Sequence, residues 1–329
     1  MLVLVIVIIF LALLFDFVNG MNDAANSIAT VVSTHVLSPT AAVAWAAFFN
    51  FVAAFGFGVK VAGTIGRGIV ETSVVNEWMI LAALIGAIIW AYLCTHYGLP
   101  ISVSHSLIGG LVGAGVVKAG LGSLVMSGIS KVVLFIFLAP LLGLMFGFIL
   151  MVAVHWLFRR WTSTRVDRFF RVGQLLSSAA YSLGHGTNDA QKTMGIIAVL
   201  LFSAGYLGKE FYVPIWVILA AHAAIAAGTF VGGWKVVRTM GVRLTKLRPV
   251  GGFCAETAGA IILHATAQAG IPVSTTHTIA GSIMGVGITR RIAAVRWGIA
   301  GKIVWAWVLT IPISALMAAI VYSLINLLL

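Results

Sequence analysis

The chain has 329 residues, of which 61% are hydrophobic and only 9% charged, with a net charge of +12 and a mean hydropathy of +1.11. Soluble domains carry roughly a quarter charged residues, so these proportions exclude an ordinary soluble enzyme. The positive charge is that of basic loops flanking membrane helices, and no nucleic acid is expected as a partner.

A crossing helix needs about 20 apolar residues. The charge-free gaps of 36 residues after Asp23 and 40 after Glu77 each leave room for two. In chain order, ten crossings are expected, the first five at about 1–36, 39–59, 77–96, 101–119 and 131–158. A basic loop follows at 159–171, with Arg159, Arg160, Arg165, Arg168 and Arg171 against Asp167. The second five fall at about 172–204, 211–231, 250–268, 272–289 and 303–327. Placing the basic loop in the cytoplasm puts fourteen Lys and Arg inside and five outside, as the positive-inside rule requires. Trp78, Trp216, Trp305 and Trp307 fit interfacial anchors. Cys94 and Cys254 lie in apolar stretches without metal-like spacing, so neither a disulfide nor a zinc site is expected.

The sequence repeats itself. N-G-M-N-D-A-A-N around Asn22 and Asp23 returns as H-G-T-N-D-A-Q-K around Asn188 and Asp189, 166 residues later. G-L-P-I-S-V-S-H from Gly98 returns as G-I-P-V-S-T-T-H from Gly270, 172 residues later. An odd number of crossings per half turns the second half upside down. The chain is therefore read as an all-α integral membrane protein of two inverted-topology repeats, 1–158 and 172–329. That architecture places a substrate at the repeat interface near the midplane.

Four polar stretches interrupt the apolar pattern, at 19–26, 100–106, 185–193 and 272–278. They are read as breaks or re-entrant turns, because free backbone polar groups at membrane depth are tolerated only inside protein or along a wet cavity. Pro100 and Pro272 suit the first turn of a helix. Ser102, Ser104, Ser274, Thr275 and Thr276 add hydroxyls at the same end, and a helix N-terminus is an anion site. Asp23 and Asp189 sit among the Asn side chains of the other two stretches. Buried acids of this kind face a transport pathway. A carboxylate beside an anion needs a cation between them, either sodium held by hard oxygens of Asp23, Asn22, Asp189 and Asn188 or a proton. Asn26 and Glu256 are further candidates for coupling the cation. Lys192, one turn after Asp189, either neutralises that acid or contacts the anion. His105 and His277 either bind the anion or pack by hydrogen bonding.

At these motifs the sequence resembles the inorganic phosphate transporter (PiT) family. The likeness rests on D-F-V-N-G-M-N-D-A-A-N-S-I-A-T (16–30), Y-S-L-G-H-G-T-N-D-A-Q-K-T-M-G (181–195) and the two P-x-S-x-[ST]-H segments. It extends to K-L-R-P-V-G-G-F (246–253) and S-I-M-G-V-G-I-T-R-R (282–291). The resemblance implies phosphate uptake across the cell membrane, driven by sodium or protons, by alternating access in a homodimer without a cofactor. It implies that Asn22, Asp23, Asn188 and Asp189 line the cation and substrate site, and that Ser102, Ser104, Ser274, Thr275 and Thr276 hold phosphate. Gln191 and Lys192 stand where the first half has Ala25 and Asn26, so the two halves are chemically unequal. A sulfate permease of the same family is the runner-up, and an anion channel a third reading that leaves the two acids unexplained. A cysteine introduced at Thr162 is expected to react with an impermeant thiol reagent from the cytoplasm, and one at Thr72 from outside. Reaction of both from one side would break the inverted count.

Overall fold

In the computed structural model, residues 2–56 and 58–328 are described, and among them the regular structure is helical, with one isolated bridge between Val70 and Leu124. The first half runs α1 (Leu2–Ser33), α2 (Pro39–Val52), α3 (Lys60–Gly68), α4 (Glu77–Tyr97), α5 (Val103–Ala119) and α6 (Met126–Leu157). The second runs α7 (Ser163–Ser203), α8 (Ile215–Val231), α9 (Trp234–Arg238), α10 (Pro249–Gln268), α11 (Thr275–Ile288) and α12 (Trp297–Leu328). The order of element types is the same in both. Each half opens on a long helix and closes on a long helix with an internal proline, Pro140 in α6 and Pro312 in α12.

The chain crosses a membrane several times. By length and composition α1, α4, α6, α10 and α12 are long and apolar enough to do so. The α2–α3 and α8–α9 pairs qualify as bent units, turning by 87° and 64°. On α6 and α12 the side chains of Leu134, Phe137, Leu141, Val304, Trp305 and Leu316 stay exposed, as on a face turned to lipid.

Local chemistry sets the turn that matters most. α4 stops at Gly98 and α10 is followed by Gly270, with φ of 72° and 67°, a left-handed conformation that glycine adopts without steric cost. A proline follows each, and the next helix is capped by Ser102 or Ser274. Their hydroxyl oxygens accept from His105 N at 3.3 Å and His277 N at 3.2 Å. Each satisfies one of the orphan donors of a helix start.

Packing interlocks the halves. α5 lies on α12 and α11 on α6; α1 packs on α4 and α8, as α7 packs on α10 and α2. Close approach requires glycine at the swapped contacts. A Cβ on Gly113 would stand 2.0 Å from Ala315 O, and one on Gly285 would stand 2.1 Å from Leu144 O. Hydroxyl latches repeat the exchange: Thr64 donates to Gly270 O at 2.8 Å, and Thr239 donates to Gly98 O at 3.0 Å.

Three expectations are corrected. The stretches 19–26 and 185–193 do not break their helices, since α1 and α7 run through them unbroken. Side chains, not backbone, carry the polarity there, and several of them bond to other helices. The basic stretch 159–171 is a loop only at its start, because α7 begins at Ser163. Trp307 is not an interfacial anchor: it is 3% exposed, donates to Pro100 O at 3.0 Å and stacks on His277.

Gly285→Ala is expected to lower the thermal midpoint in detergent, since forcing a methyl into a closed contact costs about 1–3 kcal/mol. Gly301→Ala, where nothing lies within 4 Å of the added Cβ, is expected to leave it unchanged or raise it by helix propensity. Equal effects of the two substitutions would contradict the backbone contact.

Candidate functional site

The site forms where α1 and α7 pass the starts of α5 and α11. Asp23 and Asp189 are 1% and 0% exposed; Asp23 is met by a hydroxyl from the start of α11, and Asp189 by hydroxyls from the starts of both α11 and α5. Thr276 Oγ1 donates to Asp23 Oδ1 at 2.9 Å, and Thr275 Oγ1 donates to Asp189 Oδ2 at 2.8 Å. Ser104 Oγ lies 3.4 Å from Asp189 Oδ1. The first-turn N–H groups of α5 and α11, those of Val103, Ser104, Thr275 and Thr276, have no intrahelical partner, as in helix starts that can receive an anion.

Lys192 is fully inside the protein, 1% exposed. Its ammonium pairs with Asp189 Oδ1, donates to Ser104 Oγ at 2.6 Å and to Val273 O at 2.9 Å. All three of its donors are therefore used, which is what a buried ammonium requires.

His185 stands between the acids. Its Nε2 is 3.2 Å from Asp189 Oδ2 and 4.0 Å from Asp23 Oδ2. Its Nδ1 is 3.0 Å from Asn50 Oδ1, and the Asn50 amide nitrogen donates to Thr229 Oγ1 at 2.9 Å. That network assigns the Asn50 oxygen as acceptor and so puts a hydrogen on Nδ1. A neutral imidazole would then turn its Nε2 lone pair on two carboxylates. One positive charge shared among them, a proton or a bound cation, removes the conflict. Ligand atoms of Asp23, His185 and Asp189 lie within 4.8 Å of one another, close enough for a single ion.

The other expected residues divide. Asn26 joins the site, its Nδ2 at 2.9 Å from Thr276 Oγ1 and 3.3 Å from Thr275 Oγ1. Asn22 donates to Thr95 Oγ1 at 2.9 Å, and Asn188 donates to Leu263 O at 2.9 Å, so each amide pins a neighbouring helix. The Oδ1 atoms of Asn22, Asn26 and Asn188 have no partner, and such oxygens suit a cation. Ser102 and Ser274 cap their helices through oxygen and keep their hydrogens to donate. His105 and His277 face each other, ring centroids 4.9 Å apart, edge to face. Glu256 lies elsewhere. It accepts from Thr30 and Ser177 at 2.5 Å and from Gln174 at 3.0 Å. Thr30 is two turns beyond Asp23 on α1, about 10 Å at 1.5 Å per residue.

One participant was set aside in the sequence reading of the site and one escaped it. His185 lies in the polar stretch 185–193 but is replaced by Asn19 in the first half, which weighed against it; its place four residues before Asp189 on one helical face was the signal in its favour. Gln191 accepts from Val61 N at 2.8 Å and Ala62 N at 3.3 Å, capping α3. Nothing in the sequence joins those segments.

A helical bundle that crosses a membrane several times and buries two acids, an ammonium and two helix starts together has the make of a membrane transporter. The chain matches the phosphate transporter family over residues 19–318 and belongs to it. It is 57% identical over 319 residues to a probable low-affinity inorganic phosphate transporter of Rhizobium meliloti, covering 97% of this chain and 96% of that one. A protein of the same description from Bacillus subtilis is 42% identical over 328 residues, covering 99% and 98%. The solved structure of a sodium-dependent phosphate transporter superposes with a TM-score of 0.89 at 27% identity, over 99% of this chain and 100% of that one. The fold and family are those of transporters, not enzymes.

Removing one partner of a buried ion pair costs about 3–5 kcal/mol. Lys192→Met is therefore expected to lower the thermal midpoint sharply, and the double change Lys192→Met with Asp189→Asn is expected to recover most of the loss. A double variant no more stable than Lys192→Met alone would show that the pair is not what the ammonium supports.

Proposed function

We propose that this protein is a secondary-active carrier that brings inorganic phosphate across the cell membrane together with a cation, sodium or a proton, by alternating access. The observation that carries the reading is the meeting of two serine-capped helix starts with two buried carboxylates. The helix starts attract an anion, the carboxylates repel one, and a cation between them reconciles the two. Coupling then needs no further device, since anion and cation each bind well only when the other is present.

In this reading, phosphate takes the free N–H groups and hydroxyls of Ser102, Ser104, Ser274, Thr275 and Thr276. The Lys192 ammonium adds a positive charge to that pocket. The cation sits among Asp23, Asp189, the unpartnered carbonyls of Asn22, Asn26 and Asn188, and His185, with Asp23, which has no ammonium of its own, as its first anionic partner. Glu256, with three donors of its own, steadies α1, α7 and α10 around the site. The two halves lie inverted, the basic ends of α7 and α12 face the cytoplasm, and two copies associate through exposed apolar faces.

The acids also explain a choice between tetrahedral anions. Inorganic phosphate near neutral pH still carries a proton and can donate to a carboxylate, whereas a phosphate monoester loses its last proton with a pKa of about 6. Sulfate has none to give and leaves a buried charge unpaired.

Purified protein in liposomes, with sodium and proton gradients imposed separately, tests the reading. Labelled phosphate is expected to accumulate with one of the gradients. Ser102→Ala and Ser274→Ala are each expected to weaken phosphate binding roughly tenfold, since a hydrogen bond to a charged group is worth about 1.5–3 kcal/mol. Asp23→Asn and Asp189→Asn are expected to abolish accumulation and relax the discrimination against sulfate. Preference of the unaltered protein for sulfate, or full accumulation by both Asn variants, would overturn it.

A further inference from the structure

The oxygens that hold Lys192 have a mirror image. The internal repeats pair Asp189 with Asp23, Ser104 with Thr276, Val273 with Ile101, and Lys192 with Asn26. The Lys192 ammonium is held by Asp189 Oδ1, Ser104 Oγ and Val273 O. The three counterparts converge in the same way, with Thr276 Oγ1 at 2.9 Å from both Asp23 Oδ1 and Ile101 O. Beside them stands Asn26, its nitrogen 2.9 Å from Thr276 Oγ1 and its oxygen without a partner. The two nests are of one make, each a carboxylate, a hydroxyl and a backbone carbonyl. One holds a covalently attached ammonium; the other is faced by a neutral carboxamide.

A carboxylate, a hydroxyl and a carbonyl form a hard donor set, the kind that selects small hard cations. An ammonium satisfies it equally well, with three N–H donors and one positive charge. Asp189 has its compensating charge bonded to the chain. Asp23 receives hydroxyl hydrogen from Thr276 but no ammonium, and must find its charge from outside.

We infer that the Lys192 ammonium stands permanently in one of two symmetric cation places, so that only the Asp23 nest takes a coupling cation. The inference rests on the reading as a cation-coupled phosphate carrier and deepens it. A tethered charge stays behind when the substrate leaves. Each turnover thus moves one positive charge fewer than the two-fold frame would accommodate. One charge is worth about fiftyfold in accumulation per 100 mV of membrane potential, so Lys192 sets how steep a phosphate gradient this carrier sustains.

The test exchanges the mirror residues, using Lys192→Asn and Asn26→Lys beside the unaltered protein. Phosphate binding is measured by calorimetry at several concentrations of the cation that drives uptake, and the charge moved per phosphate is read from the reversal potential in liposomes. Below saturation, a tenfold rise in cation is expected to tighten phosphate binding about tenfold in the unaltered protein and about 100-fold in Lys192→Asn, by mass action with one and two linked cations. Lys192→Asn is also expected to move one more charge per phosphate. Asn26→Lys is expected to bind phosphate whether or not the cation is present.

An unchanged cation dependence in Lys192→Asn, or a persisting one in Asn26→Lys, would overturn the inference. Should Lys192→Asn fail to bind phosphate, Asn26→Lys decides alone. Loss of phosphate binding in both also overturns it, since the ammonium would then replace a cation in neither nest. If the unaltered protein itself accumulates no phosphate, it is the carrier reading that fails.

Discussion

A charge inside an apolar protein must be met by another, and here the constraint is concentrated on Asp189. Burial withdraws its carboxylate from water. Lys192 from the same helix, Thr275 from the start of α11 and Ser104 from the start of α5 replace what water supplied. Because these partners come from three elements, the acid draws the helix starts together as it is neutralised. Continuous helices follow from the same economy. With the amide nitrogens of Asn22 and Asn188 and the carboxylate of Asp189 partnered through their side chains, α1 and α7 keep their backbones closed at membrane depth, where an unpaired N–H or C=O is costly.

The halves are woven, not juxtaposed. The helix that starts at Ser102 packs on the last helix of the other half, and the one that starts at Ser274 packs on α6. The Thr64 hydroxyl on α3 and the Thr239 hydroxyl just past α9 each bond to the glycine turn of the opposite half. Neither half buries its own apolar faces alone. Glycine contacts join α5 to α12 and α11 to α6, each pair drawn from both halves.

Symmetry in the frame coexists with asymmetry in the chemistry. Glu256 gathers Thr30, Gln174 and Ser177, while the repeat positions of Glu256, Thr30 and Gln174 are Leu84, Ile196 and Ile8, all apolar and buried. Gln191 caps α3 through Val61 N, and its counterpart Ala25 has nothing to offer α9. The second half thus holds an ammonium, the His185 imidazole and Glu256 that the first lacks, while the first holds buried Asp16 opposite Ser182. Two like halves that diverge in this way need not bind the same number of ions.

Much of this was determined by the sequence alone. Composition and charge-free runs required a membrane protein, and the returning N-D-A and P-x-S-x-[ST]-H motifs required two like halves with acids and hydroxyls in each. The P-x-S motif forecast helix starts at Ser102 and Ser274 because proline and a capping serine act on their nearest neighbours. What only the tertiary structure decided depends on contacts between residues far apart in the chain. The polar runs at 19–26 and 185–193 read as breaks, since a sequence cannot show that Thr95, Leu263 and Val273 await their side chains. His185 counted for little because Asn19 replaces it in the first half; its value lies in standing between Asp189 and Asp23, the latter 162 residues away in the chain. Glu256 looked like a member of the site until Thr30, Ser177 and Gln174 claimed its oxygens. Local patterning fixes which residues are polar and where helices begin; which charge meets which is settled only when the two halves close on each other.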